Sequence, residues 1–297
     1  TEKPDLSSRE YIHTGELKSN TSKKEFKNMV NEAKNHIKSG DSFQIVLSQK
    51  FSVNTNIPPF QVYRALRVSN PSTYMFYLNF PDIKLIGSSP EVLVKVNENQ
   101  VLTRPLAGTR PRGENHKKDL SLKKELLNDE KEKAEHTMLV DLGRNDLGRV
   151  CQFGSVEVTE LMGIEYYTQV MHLVSQVEGI LKPNISRAEV LSSVFPAGTV
   201  SGAPKIRAIE IINKLEKEPR GVYAGAVGYL DFKGNMDTCI TIRTFSYKDG
   251  ILSAQVGAGM VADSIPEKEY RETLSKAQAL FEALKITRKE EPYGLSS

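Results

Sequence analysis

A helix-like stretch whose apolar stripe runs on into two glutamates constrains this chain more than any other feature. In Lys131–Arg149, KEKAEHTMLVDLGRNDLGR, Glu132, Glu135, Leu139 and Leu142 fall at i, i+3, i+7 and i+10, a core-facing stripe at helical period. An unpaired buried carboxylate is costly, so each must meet a cation, an arginine or a proton. A second helix-like segment, PEKEYRETLSKAQALFEAL, carries Glu269 and Glu272 at i, i+3. If the two helices face each other, four carboxylates converge, and an all-oxygen set suits Mg²⁺ with retained water. The same glutamates also read as solvated helix faces, and Glu272 lies off the apolar stripe Tyr270, Leu274, Ala277, Phe281.

The rest of the chain is that of an ordinary soluble protein. Its 297 residues are 39% hydrophobic and 26% charged, enough for one large or two small domains with a core. A net charge of +3 without a basic run gives no electrostatic reason to expect nucleic acid as a partner. Cys151 and Cys239 make neither a disulfide framework nor a zinc spacing and read as buried thiols in a reducing compartment. No apolar run approaches the roughly 20 residues of a membrane span, so no membrane partner is expected. The polar start TEKPDLSSRE is unlike a signal peptide and lacks methionine, so a fragment and a cytoplasmic location are expected.

Taken in order, residues 1–20 read as a polar, unanchored lead-in and 287–297 as a frayed tail, with one domain over 21–286. Thr21 or Ser22 caps a helix to Ser39, stopped by Gly40. FQIVLSQKF, Phe43–Phe51, is a buried strand, and Pro58-Pro59 opens a helix near Phe60–Val68. Tyr74–Phe80, Lys84–Gly87, Val92–Asn97 and Gln100–Arg104 suggest one antiparallel meander. Leu106–Gly113, LAGTRPRG, is a loop whose backbone and arginines suit an anion, or a β-turn with exposed arginines. Lys117–Asn128 is helical, Ser155–Leu161 and Val170–Val177 are strands, and Ser186–Ser193 is a helix. His172 on the second of these strands reads on its own as a satisfied structural residue before a catalyst. FPAGTVSGAPK is a small-residue loop feeding the helix Ile206–Leu215 and lacks a nucleotide P-loop ending. Gly221–Phe232, Thr238–Tyr247 and Ile251–Val256 are strands, and Gly257-Ala258-Gly259 allows either close approach to a ligand or a bulge. The pattern predicts an α+β fold of antiparallel sheet and packed helices.

Several loops occur together in one order: SSPE, PLAGTRPRG, AEHTMLVDLGRND, MHLVS, FPAGTVSGAPK, GVYAGAVGY, IRT and GAGMVADS. Jointly they resemble the chorismate-utilising enzymes, and among these the large subunits (component I) of anthranilate synthase. The resemblance implies two large antiparallel sheets packed face to face with flanking helices. Family members carry a longer N-terminal half, with further strands and part of a tryptophan-feedback pocket, that this sequence lacks. Exposed sheet surface and self-association are expected from that lack.

By the same resemblance, Glu135 and Glu272 are expected to ligate Mg²⁺ directly, with Glu132 and Glu269 holding metal-bound waters. Arg243, Tyr223 and the backbone of Gly257, Ala258 and Gly259 match carboxylate-binding positions, and Gly108 and Thr109 match a further substrate-contacting pair. Glu91 matches the acid for the departing C4 hydroxyl, and Thr199 lies in an active-site loop. His172 matches the base that takes the C2 proton, a task suited to a histidine near its ordinary pKa. Thr73, Tyr74 and Met75 match part of the feedback-ligand pocket. Gln44 stands where isochorismate and salicylate synthases carry lysine, and Ala107 where aminodeoxychorismate synthases carry one. The implied reaction joins chorismate and ammonia, supplied by a glutamine amidotransferase subunit, and releases anthranilate and pyruvate. An aminodeoxychorismate synthase and a chorismate- or tryptophan-binding module without turnover stay open.

Overall fold

A computed structural model describes residues 15–167 and 170–287. The first strand, β1 (Lys18–Ser19), pairs with β2 (Gln44–Asn54), and the Gly15 amide donates to the Asn54 carbonyl at 2.8 Å. Residues 15–20 are therefore anchored, unlike the lead-in expected from their polarity, because an edge strand needs only backbone pairing. Residues 1–14 and 288–297, with most of the expected tail, lie outside the described residues. Helix α1 (Lys23–Lys38) starts where the sequence predicts. Ser22 and Glu25 form a reciprocal capping box, and Phe26, Val30 and Ala33 are fully buried.

Next come α2 (Pro59–Ser69), β3 (Tyr74–Asn79), β4 (Lys84–Ser89), β5 (Val92–Asn97), β6 (Gln100–Thr103) and β7 (Leu106–Pro111). Helices α3 (His116–Asn128) and α4 (Glu130–Gly148) precede β8 (Glu157–Tyr166) and β9 (Val170–Ile180). Then follow α5 (Arg187–Val194), β10 (Gly202–Ala203), α6 (Lys205–Leu215), β11 (Ala226–Leu230) and β12 (Met236–Ile240). The chain continues through β13 (Thr244–Lys248), β14 (Ile251–Met260), α7 (Pro266–Phe281) and α8 (Ala283–Thr287). Two antiparallel sheets result. One has the order β1-β2-β14-β13-β4-β3 with β10 on β2; the other runs β11-β12-β5-β6-β9-β7 with β8 on β9. The α+β class expected from the sequence is the class observed.

Each sheet packs its own helices. Phe51, Ile86, Phe245 and Leu252 of the first sheet meet α2, α7 and α8 through Leu66, Ala277, Leu280 and Ala283. Val94, Val101 and Val177 of the second meet α4 and α5 through Val140, Leu147 and Val190. Burying such side chains contributes roughly 1.5–3 kcal/mol each.

Several strand assignments differ from the sequence reading. The expected single meander is split, with β3–β4 in the first sheet and β5–β6 in the second. The break falls at Pro90, which has no amide to continue a ladder. Thr238–Tyr247 is likewise two strands in different sheets, separated at Thr241–Arg243, where Arg243 has φ 48°. These breaks lie side by side: Ile240 N donates to Glu91 O at 3.0 Å, Ser88 N to Arg243 O at 3.1 Å, and Ser89 Oγ to Ile240 O at 2.6 Å. Two segments thus cross between sheets at one place. Lastly, the expected loop at Leu106–Gly113 is largely strand β7. Its ladder on β9 skips Gly108, whose φ of 74° makes a bulge. Gly221–Phe232 is strand only over β11, and Gly257–Gly259 lie inside β14, paired in register with Ser48–Val46 of β2.

Candidate active site

The double crossing sets Glu91 and Arg243 together. Glu91 is 5% exposed. Burial pushes its carboxyl up to about 7, against the pull of Thr199, the Arg243 charge and the Leu106 amide. Thr199 Oγ1 is buried and lacks a fully formed hydrogen bond, although it faces Glu91 closely enough to lower that pKa. Arg243 is half-buried, and desolvation lowers its pKa while Glu91 and Tyr167 act to raise it.

The β7 bulge delivers the next group. His172 on β9 is buried, its Nδ1 lying 2.9 Å from Thr109 Oγ1 and 3.3 Å from the Gly108 carbonyl. A carbonyl only accepts, so the ring proton is assigned to Nδ1 and Nε2 keeps a free lone pair. Nε2 is buried without a partner among the described residues. Tyr167 stands edge-on to the ring at 5.3 Å. Burial, then the Arg243 charge, push the imidazole down to about 4, opposed by the Gly108 carbonyl and Glu165. The expectation of a near-ordinary pKa is corrected here: desolvation beside a guanidinium keeps this ring neutral well below pH 6.5, its ordinary value.

The carboxylates form the third part. Glu135 on α4 accepts from Gln44 Nε2 at 2.5 Å, and its pKa is raised by burial, with the charges of Glu132 and Glu272 adding to the effect. Glu269 is raised by burial, with Glu272 adding again. Helices α4 and α7 therefore bring Glu135 within electrostatic reach of Glu272, with Glu132 and Glu269 acting on or feeling their own helix neighbours. Each also has another partner: Arg110 Nη1 at 3.1 Å for Glu132, Lys276 at 2.7 Å for Glu272, and the Lys131 charge for Glu135 and Glu269. Among the described residues no three His, Cys, Asp or Glu side chains are gathered tightly enough to hold a metal ion. In donor chemistry the residues nonetheless fit a hard divalent cation, because all four offer oxygen and the pKa values of Glu135 and Glu269 are raised by burial and by neighbouring carboxylates.

Two glycines of β14 close the arrangement. A Cβ at Gly259 would stand 2.7 Å from Gln44 Nε2, and one at Gly257 would stand 2.5 Å from the Tyr223 hydroxyl and 3.1 Å from the Leu47 carbonyl. Ala258 between them is buried. Tyr223 is buried, its pKa pushed up to about 12, with the Arg220 guanidinium 5.4 Å from its ring centre. A Cβ at Gly108 would lie 3.1 Å from Glu132 Oε2, so the bulge also touches the carboxylate group. The expected feedback residues lie on the strand beside Glu91. Tyr74 and Met75 pair with Ser89 and Ser88, Tyr74 donates to Asp237 Oδ1 at 2.7 Å, and Thr73 immediately precedes them.

Sequence reasoning missed several members. Lys276 donates to the Gly257 carbonyl at 2.9 Å as well as pairing with Glu272, and its i+4 spacing from that glutamate was the available signal. Lys205, at the end of FPAGTVSGAPK, forms a buried pair with Asp146 at 2.7 Å. His136, next to Glu135 and fully buried, carries no periodic signal.

This fold and constellation define a class, the chorismate binding enzymes: the chain matches that family over residues 2–282 and belongs to it. Within it, the chain is 57% identical over 266 residues to anthranilate synthase component 1 of Acetivibrio thermocellus, covering 90% of this chain and 54% of that relative. The crystal structure of anthranilate synthase component I from Streptococcus pneumoniae is similar with a TM-score of 0.84 at 48% identity, covering 89% of this chain and 59% of that one. A putative 2,3-dihydroxybenzoate-specific isochorismate synthase from Bacillus anthracis gives 0.83 at 31% identity, covering 94% and 76%. The resemblance read from the loops is thus the relationship found. The chain spans about half the length of the curated relatives it matches. Among the described residues no helix is long and apolar enough to cross a membrane.

Proposed function

We propose that this chain carries the active site of an anthranilate synthase large subunit, which converts chorismate and ammonia to anthranilate and pyruvate. The observation that carries the reading is that the charge of one half-buried arginine, Arg243, reaches both a protonatable Glu91 and a neutral His172. Hydroxide leaves poorly, and a carboxyl raised to about 7 still holds its proton near neutrality, so Glu91 protonates the departing C4 hydroxyl. Ammonia attacks C2 in that step. His172 then takes the C2 proton on Nε2 as the pyruvate leaves. Arg243, Tyr223, Lys276 and the Gly257–Gly259 backbone receive substrate carboxylates, and Gly108 and Thr109 fix both the ring of His172 and the substrate edge. Mg²⁺, held by Glu135 and Glu272 with Glu132 and Glu269 behind them, would anchor the ring carboxylate and offset its charge. Gln44 and Ala107 leave the site without either lysine of the sister activities, which favours ammonia as the nucleophile. A glutamine amidotransferase subunit is the proposed ammonia source, and a cytoplasmic location suits two buried free thiols.

The test is anthranilate fluorescence from chorismate, ammonium and Mg²⁺. His172→Met is expected to accumulate an aminated, pyruvate-bearing intermediate by mass spectrometry, whereas Glu91→Gln stalls at chorismate. Glu135→Gln is expected to move the Mg²⁺ requirement to much higher concentration. Normal anthranilate formation by His172→Met would sink the division of roles. Chorismate binding without turnover, or a 4-amino product, would assign the chain to a binding module or an aminodeoxychorismate synthase.

A further inference from the structure

We propose that His136 is a positioning residue that fixes which nitrogen of His172 is basic, acting through the main chain of the β7 bulge. The inference rests on the reading of His172 as the base. It starts from a buried polar relay that the chemistry above does not use. His136 on α4 is fully buried, and its Nε2 lies 2.7 Å from Ser175 Oγ, which is equally buried. That hydroxyl oxygen accepts the Met162 amide at 2.9 Å, in a segment where Met162 is held at φ 54°. With a lone pair engaged there, the hydroxyl is free to donate its hydrogen to His136 Nε2, and the ring proton of His136 falls on Nδ1. Nδ1 faces the Ala107 carbonyl, short of a fully aligned hydrogen bond.

Ala107 is where the relay meets the proposed base. The β7 ladder pairs Ala107 with Leu173 and Thr109 with His172, leaving Gly108 out of register. The ladder pairs the residues on either side of Gly108 but gives Gly108 itself no partner, and glycine permits φ and ψ between the two peptides to turn. Their observed orientation aims the Gly108 carbonyl at His172 Nδ1, the one contact that requires the proton on that nitrogen. The Ser175 amide donates to the Pro105 carbonyl at 3.2 Å and holds the chain just before the bulge. Ser175 thus reaches the bulge twice, through the hydrogen bond of its own amide and through the His136 ring that faces Ala107. If the relay is lost, the peptide is free to rotate, Gly108 no longer selects the tautomer, and Nε2 is protonated in part of the molecules.

The experiment is ¹⁵N NMR of the His172 ring in the free chain, assigned by its loss in His172→Met. The parent chain is expected to show hydrogen on Nδ1 only. Ser175→Ala, which removes one oxygen, and His136→Leu are expected to show a mixture of tautomers, and His136→Gln, which keeps a donor and an acceptor, to restore much of the original state. Where turnover is measured, kcat should fall roughly tenfold to a hundredfold with KM little changed. A purely structural role would lower the melting temperature and leave the tautomer alone; folded Ser175→Ala with the proton still wholly on Nδ1 overturns the proposal. Should His136→Leu fail to fold, Ser175→Ala decides. Because the tautomer is read without substrate, a chain that makes no anthranilate would count against the proposed function and not against this relay.

Discussion

Arg243 acts on two titrating groups with opposite functional results. Its positive charge favours the ionised form of Glu91 and the neutral form of His172, so it lowers both pKa values. In the proposed roles, Glu91 as acid needs its proton and His172 as base must lack one. Activity measured as kcat/KM should therefore rise as pH passes about 4, where His172 becomes neutral, and fall as it passes about 7, where Glu91 ionises. Stability follows the same groups. Glu91, raised in the folded state, contributes fully below its ordinary 4.5 and loses that contribution as pH rises through about 7. His172, depressed, contributes fully above 6.5 and loses it as pH falls through about 4. Arg243→Gln should move both titrations upward in carboxyl ¹³C and imidazole ¹⁵N spectra; unmoved titrations would remove the arginine from this account. Gly257→Ala is a complementary test. Its methyl would meet the Tyr223 hydroxyl and the Leu47 carbonyl, and backbone yields little, so Tyr223 should shift and KM for chorismate should rise while folding persists.

At the scale of elements, helix α4 depends on its first turn. The Asp129 side chain accepts from the amides of Lys131 and Glu132 at 3.1 and 3.2 Å and also pairs with Arg110 at 2.7 Å. Asp129→Ala should cost about 1 kcal/mol in a denaturant titration and loosen the turn that presents Glu132 and Glu135. An unchanged midpoint would show that α4 is held by packing alone. Helices such as α1 and α5 were legible because their caps are written locally, in Ser22 with Glu25 and Ser186 with Glu189. The strands were legible as strands but not as members of a sheet. An alternation of period two says which residues share a face, and nothing in Ser88–Glu91 or Thr241–Arg243 says that the next strand joins a different ladder. The β7 bulge was hidden for a related reason, since Gly108 reads as loop until its partner strand is known. The candidate site residues could be named from sequence because their loops were recognised jointly. His136 and Ser175 were not, because a buried relay between a helix and a strand has no spacing in sequence.

Across the whole molecule, the buried Asp146–Lys205 pair ties α4 to the start of α6, with Lys205 also donating to the Val194 carbonyl at 2.9 Å. Burial drives both groups toward their neutral forms, so desolvation outweighs much of their attraction. Lys205→Met should destabilise the chain by about 3–5 kcal/mol through the stranded carboxylate, whereas adding Asp146→Leu should recover most of that loss. Equal losses in the single and double variants would show that packing, not charge, holds this corner. The paired crossings at Ser88–Glu91 and Thr241–Arg243 have a mechanical consequence. Two covalent segments passing between the sheets at one line make that line a pivot: if one sheet rocks against the other, atoms on the line stay nearly still. Glu91 and Arg243 sit there. Such a motion would leave the spacing of Glu91 and Arg243 nearly unchanged while the glutamates borne on α4 and α7 move with their helices. The fold thereby gives the proposed proton donor and the proposed anion anchor one shared, nearly stationary line.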